Sequence, residues 1–309
     1  MNFLISTANY NSNEDTSLLF EQIYKKAKFE NEFNFELLIF DNSNSLDENG
    51  FFQEHDLENL SIKILKPNRN IGLAPTWKLS FNSFLNDSKY DVLILTNNDV
   101  IFTENFFENL ESEISLNDGV VFGPSIYNPD NTPWSLGGSF GSLPWIVNHH
   151  NSLDIFESSP DNTQVKTEHL SGCCMFFTRK SINHSIISGL SDFFFRGEEW
   201  FLNKRLSEHN IEKRLLKNVR LIHNENGSHD RFSSAHIYWA VRAKMLYIKK
   251  MNMKNYIVSI VTYPLHSLSK GLFFYYKNSD ESLFDVFKTI IRALKHGATK
   301  SVVRATDYE

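Results

Sequence analysis

Residues 90–102 read YDVLILTNNDVIF, and this stretch decides the fold. Val92, Leu93, Ile94 and Leu95 form a continuous apolar run, the mark of a strand buried on both faces, as in a parallel sheet covered by helices. The run gives way to Thr96, Asn97, Asn98 and Asp99 before Val100 resumes it. A buried strand that ends this way sets oxygen-rich side chains beyond its carboxyl end, where open α/β sheets bind ligands.

Similar runs recur on both sides of it: FLIST (3–7), ELLIFD (36–41), SIKIL (61–65), GVVFG (119–123), CCMFFT (173–178) and VRLIH (219–223). Helical patterns lie between them. Residues 16–29 place Leu19, Ile23 and Ala27 at four-residue steps behind Thr16 as a cap, and 70–85 repeat the pattern with Trp77, Phe81, Phe84 and Leu85. The order β, α, β, β, α, β over the first hundred residues predicts a nucleotide-binding α/β layer architecture with a mostly parallel central sheet. Residues 124–169 read as a long irregular segment, with Pro124, Pro129, Pro133, Pro144, Pro160, Gly137, Gly138, Trp134, Trp145, His149 and His150. Such a segment is either a lid or binding loop, or a packed surface excursion. Beyond His223 the pattern turns helical, through 233–250 and 282–295, with a boundary expected near Phe232.

The composition is that of a globular α/β protein: 309 residues, 41% hydrophobic and 22% charged. A net charge of −6 argues against a general nucleic-acid binder, which needs a basic surface for phosphates, and leaves room for local basic patches. The charge is uneven. Residues 242–304 carry 12 Lys and Arg against 3 Asp and Glu, a surplus of +9 that leaves −15 for the rest. The two cysteines, Cys173 and Cys174, are adjacent, which suits neither a structural disulfide nor a spaced metal motif and points to a reducing cytoplasm. The amino-terminal MNFLISTANYNSNEDTS lacks a basic leader, so no secretory signal is expected. The nearest approach to a membrane span, 256–265, is short and contains Pro264, so no bilayer crossing is expected.

Four polar sites stand at strand ends or helix starts. Asp41, followed by Asn42 and Ser43, is placed either to bond a base or ribose or to close an Asx-type turn. Asp99, flanked by Asn97 and Asn98, suits either a hard divalent cation such as Mg²⁺ or Mn²⁺, or a simple turn. Glu198 and Glu199, in FFFRGEEW, either complement a helix dipole or, beside a wall of aromatics, gain a raised pKa and the ability to accept a hydroxyl proton. His223 is either structural or an imidazole ligand that favours Mn²⁺ over Mg²⁺.

In order, NYNS (9–12), FDNSNS (40–45), RNIGLA (69–74), TNNDV (96–100), LSGCCMF (170–176), FFFRGEEW (193–200) and LIHNENGS (221–228) resemble the inverting family 2 glycosyltransferases of the GT-A fold. The resemblance spans about residues 1–230 and is closest to the bacterial branch that builds O-antigen, capsule and other surface glycans. It implies a catalytic domain over 1–232, with a nucleotide-sugar half (1–123) and an acceptor half (124–232), and a helical region over 233–309. It further implies that Asn9 and Asn11 contact the nucleotide base, that Asp41 recognises base or ribose, and that Asn70 and Gly72 form the turn near the nucleotide. Asn97 and Asn98 fall in the donor site, and Asp99 matches the last acid of a DxD-like signature holding a cation on the diphosphate. Gly172 matches a small residue of the acceptor-side strand, Glu199 the catalytic base, Glu198 an acceptor-contacting acid, and His223 the histidine that completes the metal site.

The chain departs from that pattern at four places. Asn97 replaces the signature's first acid, Glu199 stands where Asp is commoner, Trp77 and Lys78 replace an Asn-Gly, and Cys173 and Cys174 replace a Gly-Ala-like pair. The implied activity is transfer of a hexose or deoxyhexose from a nucleotide-diphosphate donor to a hydroxyl of a glycan or polyprenyl-linked acceptor. Asn97 motivates a second expectation, a non-catalytic nucleotide-sugar or glycan-binding protein. A nucleotidyltransferase ranks last, because STANYNSNED offers no Gly or Lys for a phosphate loop. In the tail, Ile237, Val241, Met245 and Ile248 form one apolar stripe and Leu283, Val286, Phe287, Ile290, Ile291 and Leu294 another. These stripes either lie on anionic lipid at the inner leaflet, pack on the catalytic body, or form a homodimer contact.

Overall fold

The computed structural model describes residues 1–30, 32–47, 57–143, 145–157, 163–224, 233–250, 256–277 and 282–300. The strands are β1 (Asn2–Asn9), β2 (Asn34–Asp41), β3 (Leu60–Leu65), β4 (Val92–Thr96), β5 (Val100–Phe102), β6 (Val121–Tyr127), β7 (Pro133–Ser135), β8 (Gly138–Phe140), β9 (Val147–His149), β10 (Gln164–Lys166), β11 (Cys174–Thr178) and β12 (Lys213–His223). The principal helices are α1 (Asn13–Phe29), α2 (Leu73–Asn86), α3 (Phe106–Leu116), α4 (Glu198–Glu208), α5 (Ser234–Lys250), α6 (Tyr256–Lys277) and α7 (Leu283–Thr299).

One large sheet runs β10-β12-β6-β11-β4-β1-β2-β3, with β5 against β12 and β7 against β6. From β3 to β4 it is parallel, as the apolar runs predict. Beyond β4 it is mixed. The CCMFFT run enters antiparallel between β4 and β6, and β12 then lies parallel to β6. β6 and β12 therefore point the same way as β4, so the carboxyl ends of β1, β2, β4 and β12 share one edge with the start of β11. The chain builds β1, β2 and β3 outward on one side and returns to β4 on the other. This reversal between β1 and β4 opens the crevice in which such sheets take ligands.

Burial on both faces follows from the pleat. Phe3, Ile5, Leu37, Ile39 and Ile94 pack with α1 and α3, whereas Leu4, Leu38, Leu93 and Leu95 pack with α2, α4 and α5. Each such fully buried side chain contributes roughly 1.5–3 kcal/mol relative to an exposed one. Phe35 and Phe107 meet edge to face at 5.0 Å, and Phe3 packs on Phe33 at 5.6 Å.

Several local expectations change. α1 begins at Asn13 behind Ser12, so Thr16 lies inside the helix and its hydroxyl serves the site instead of capping. α2 begins at Leu73, after Gly72. The segment 124–169 contains β7, β8, β9 and β10 and is less irregular than its prolines suggest. Pro124 sits within β6 beside the register break of β12 between Leu216 and Arg220, where a missing N–H disturbs the ladder least. Pro144 and Pro160 and the boundary near Phe232 lie outside the described residues.

The tail stripes face inward. Ile237, Val241, Met245 and Ile248 pack with Val286 and Ile290 and with Trp145 and Phe194 of the body. Ile291 is exposed, and α6 presents Ile257, Val261, Leu265 and Phe273 outward. Among the described residues no helix is long and apolar enough to cross a membrane.

Candidate active site

The edge of the sheet carries Asn9, Asp41, Asn97, Asn98, Asp99 and His223, while Asn70 and Gly72 lie in the turn before α2 and Glu198 and Glu199 at the start of α4. At the end of β1, Asn9 is fully buried and acts as a hub. Its amide donates to Asp41 Oδ1 at 2.9 Å and to Asn13 Oδ1 at 3.0 Å, while its Oδ1 accepts from the Thr16 hydroxyl at 3.1 Å. Asp41 is also fully buried, and its second oxygen accepts the Leu46 N–H at 2.9 Å. Burial by itself would raise the Asp41 pKa, but the Leu46 N–H, the Asn9 amide and the Ser43 donors outweigh it and hold the carboxyl below its usual range. A ligand hydroxyl reaching Asp41 has to displace one of these donors. Asn11, exposed and left-handed at φ 56°, is held by its backbone N–H on Ser43 Oγ at 3.0 Å.

The second cluster forms where β4 ends. Asn98 donates to Ser12 Oγ at 2.7 Å and to Thr16 Oγ1 at 2.9 Å, tying the strand end to the start of α1. Asn97 is fixed through its backbone, whose N–H donates to the Cys173 carbonyl at 2.8 Å. Asp99 and His223 come together because Val100 pairs with His223 across β5 and β12. Asp99 Oδ1 lies 3.3 Å from His223 Nε2, and the Asn224 N–H donates to the Asp99 carbonyl at 2.8 Å. Trp134 of β7 sits edge-on to the imidazole, with centroids 4.6 Å apart. Asp99 Oδ1 and both His223 ring nitrogens are buried without hydrogen-bond partners.

Those orphaned atoms fit a divalent cation. Neighbouring ligands of an octahedral ion stand about 3 Å apart, close to the observed separation, and one carboxylate with one imidazole leaves most positions for phosphate and water. Among the described residues no group of three or more His, Cys, Asp and Glu is placed to hold a metal, so the pair would hold it jointly with a ligand.

The third cluster links the halves of the molecule. Asn70 Oδ1 accepts the Gly72 N–H at 2.8 Å, and Gly72 takes φ 85°. A side chain there is excluded, since a Cβ would lie 2.2 Å from the Phe194 carbonyl oxygen. That same oxygen accepts the Ala74 N–H at 3.3 Å. The N-x-G turn is thereby seated on the aromatic loop that leads, through left-handed Arg196 and Gly197, into the two glutamates.

Glu199, in the first turn of α4, accepts the Gly172 N–H on Oε2 at 2.6 Å. Gly172 is small because a Cβ would fall 2.8 Å from that oxygen and 3.0 Å from the Trp77 ring. Glu198 turns inward, 6% exposed, with Oε2 unpartnered. Burial, and then the neighbouring Glu199 charge, push its pKa up to about 8 against the opposing pull of Arg196. Two adjacent carboxyls are thus split, one anchored by an N–H and the other protonated near neutrality. Cys173 and Cys174 are buried, as packing residues should be, and burial pushes the Cys174 thiol far up.

Sequence reasoning gave no role to Ser12, Phe194 and Arg196, and named Trp134 only as part of the 124–169 segment. Trp134 carried a faint signal as a large aromatic in a Pro- and Gly-rich stretch; the Phe194 carbonyl carried none, because a backbone contact leaves no residue type to read.

No family model matches the chain, and no curated protein matches it by sequence. Solved structures do match. A crystal structure of GalNAc-T7 with UDP, GalNAc and Mn²⁺ superposes with a TM-score of 0.60 at 14% identity, covering 94% of this chain and 55% of that one. The present chain therefore spans about half the length of that neighbour. The crystal structure of Staphylococcus aureus TarS 1–349 gives a TM-score of 0.51 at 11% identity, covering 97% of this chain and 81% of that one. Both neighbours are GT-A glycosyltransferases, and the chain has the GT-A fold with additional carboxyl-terminal helices.

Proposed function

We propose that the chain is an inverting glycosyltransferase of family 2 that moves a sugar from a nucleoside-diphosphate donor to an acceptor hydroxyl. One observation carries the reading. An orphaned Asp99–His223 pair and an anchored Glu199 stand on the same edge of the sheet, joined through Gly172, Cys173 and the Asn97 N–H.

In this reading the nucleoside lies in the crevice between β1 and β4, walled by Asn9, Asn11 and Asp41, with Asn70 and Gly72 along one side. Asp99 and His223, with Asn97 and Asn98 beside them, would hold a Mg²⁺ or Mn²⁺ ion, which when bound would offset negative charge on the diphosphate. Glu199 takes the proton of the acceptor hydroxyl, whose oxygen then attacks the anomeric carbon opposite the diphosphate, so the configuration inverts. The Gly172 N–H fixes the carboxylate while leaving its other oxygen for the substrate. Glu198, neutral near pH 7, donates a hydrogen bond to the acceptor. The GT-A fold, and the Mn²⁺ and UDP held by one neighbour, support the reading. The acceptor is a surface glycan or its polyprenyl-linked precursor, met at the cytoplasmic face with α6 toward the membrane.

Asn97 in place of an acid supports one other reading, a binding protein that retains the fold without transfer. A screen of thermal stabilisation by UDP-, dTDP- and GDP-sugars with and without Mn²⁺, followed by acceptor assays on the best donor, separates the two. Transfer by wild type and none by Glu199→Gln at unchanged donor affinity is the expected result. Equal turnover by both proteins would remove Glu199 from the mechanism.

A further inference from the structure

One helical turn beyond Glu199, α4 buries an amide where a core-facing helix ordinarily buries an apolar side chain. Asn203 is fully buried and follows Phe201 and Leu202 into the core. A buried amide is costly unless its donors and its acceptor are met. Here main chain meets both ends. Oδ1 accepts the Leu170 N–H at 2.9 Å, while Nδ2 donates to the Leu170 carbonyl and to the Glu199 carbonyl, each at 2.8 Å.

Leu170 stands two residues before Gly172, whose N–H holds the Glu199 carboxylate at 2.6 Å. The contacts therefore close a ring. It runs from the Asn203 side chain to Leu170, along the chain to the Gly172 N–H, across to Glu199 Oε2, and back through the Glu199 carbonyl to Asn203. Among the described residues, the Asn203 amide is the partner of both polar groups of Leu170, so Leu170 takes its place from α4 and not from a neighbouring strand. The ring is also tied to the sheet. Lys213, buried at the start of β12, donates from its ammonium to the Asn203 carbonyl at 3.0 Å.

We infer that Asn203 is a positioning residue for Glu199, placing both the turn of helix that carries the carboxylate and the main-chain donor that anchors it. The inference rests on the reading of Glu199 as the base. Its reach is set by the precision a proton transfer needs, since a misplacement of about 1 Å can cost on the order of 10²-fold in rate. The residue type follows from the ring. Only an amide of this length offers one acceptor to Leu170 together with donors to two carbonyls; a carboxylate of the same shape would turn an oxygen toward those carbonyls, and a serine hydroxyl is too short to span them.

The test pairs Asn203→Asp, which keeps the acceptor and loses the donors, with Asn203→Ser, which adds no charge. Leu206→Ala, a cavity in the same helix outside the ring, is the control for general loosening. Two quantities are read. The first is steady-state transfer, where both Asn203 variants are expected to lose about tenfold or more in kcat with donor KM within about twofold of wild type. The second is the Gly172 amide resonance in glycine-labelled protein, one of 13 glycine signals, assigned by its loss in Gly172→Ala. It is expected to move in both Asn203 variants toward its position in Glu199→Gln, and to stay in place in Leu206→Ala.

An unmoved Gly172 resonance in both Asn203 variants would overturn the inference, as would unchanged kcat in both while Glu199→Gln is inactive. Effects of Leu206→Ala as large as theirs would do the same, because they would reduce the ring to ordinary core packing. Should neither Asn203 variant fold where Leu206→Ala does, the residue is structural and the inference falls. Full turnover by Glu199→Gln is a different failure. It would refute the proposed base, while the Gly172 resonance would still decide whether Asn203 places the carboxylate.

Discussion

The Gly172 N–H donates to Glu199 at 2.6 Å, so this carboxylate in the first turn of α4 is aimed by the backbone just before β11. A carboxylate positioned by a main-chain donor cannot be re-aimed by a rotamer change without losing that bond, which bears on the proposed role of Glu199 as base. Gly172→Ala would push its Cβ against Glu199 Oε2 and the Trp77 ring. General bases contribute about 10²–10⁴-fold, and loss of alignment is expected to cost a sizeable part of that in kcat with little change in donor KM. Steady-state kinetics of Gly172→Ala against wild type checks this; a change confined to KM would count against the geometry.

Asp99→Ala and His223→Ala are each expected to weaken cation-dependent binding of a nucleoside diphosphate by about tenfold or more, as metal-ligand losses do. Calorimetry with Mn²⁺ reads the loss. In the absence of the ion the two variants should bind the nucleotide as wild type does, because Asn9 and Asn11 remain.

Glu198 gives stability a pH dependence of defined sign. Its carboxyl keeps its proton in the fold up to about pH 8 but loses it near 4.5 when unfolded, so between these values the folded state binds more protons. Its contribution is therefore most favourable below pH 4.5, declines as pH rises through this window, and levels off above pH 8. Denaturant titrations of wild type and Glu198→Gln should diverge across the window, with the variant the flatter curve. Parallel curves would mean that Glu198 is ionised in the fold.

Gly72→Ala meets both a left-handed backbone and the Phe194 carbonyl. The conformation alone costs about 1–3 kcal/mol, and the clash adds to it. A lowered melting temperature together with weaker donor binding is expected, whereas Asn70→Ala, which removes only the turn's side-chain acceptor, should cost less.

The strands were legible because this sheet is buried on both faces. VLILT, ELLIFD and FLIST carry the signal in composition alone, and their sequence order sets the parallel half. Antiparallel entry of CCMFFT was not legible, since a run buried on both faces reads the same in either direction. The prolines of 124–169 misled, because Pro124 tolerates a strand at a register break that only the partner strand reveals. Asp99 and His223 stood out through their positions at strand ends, yet their 3.3 Å approach depends on the β5–β12 pairing over more than a hundred residues. Asp41 was read as either a base or ribose contact or the closer of an Asx-type turn; its Ser43 donors are the local ones of such a turn, whereas the Asn9 amide comes from a distant strand that no local pattern announces.

The seat of Gly72 on the Phe194 carbonyl makes one jaw of what the sequence presents as two lips. The turn at Gly72 and the loop before the glutamates touch through the Phe194 carbonyl and ring, with no side chain on the glycine to act as a cushion, so displacement of one carries the other. Filling the donor crevice would then set the acceptor side before the acceptor arrives. Such a machine loads its substrates in sequence, donor first, and product-inhibition patterns that instead showed random order would mean that the jaw has a hinge after all.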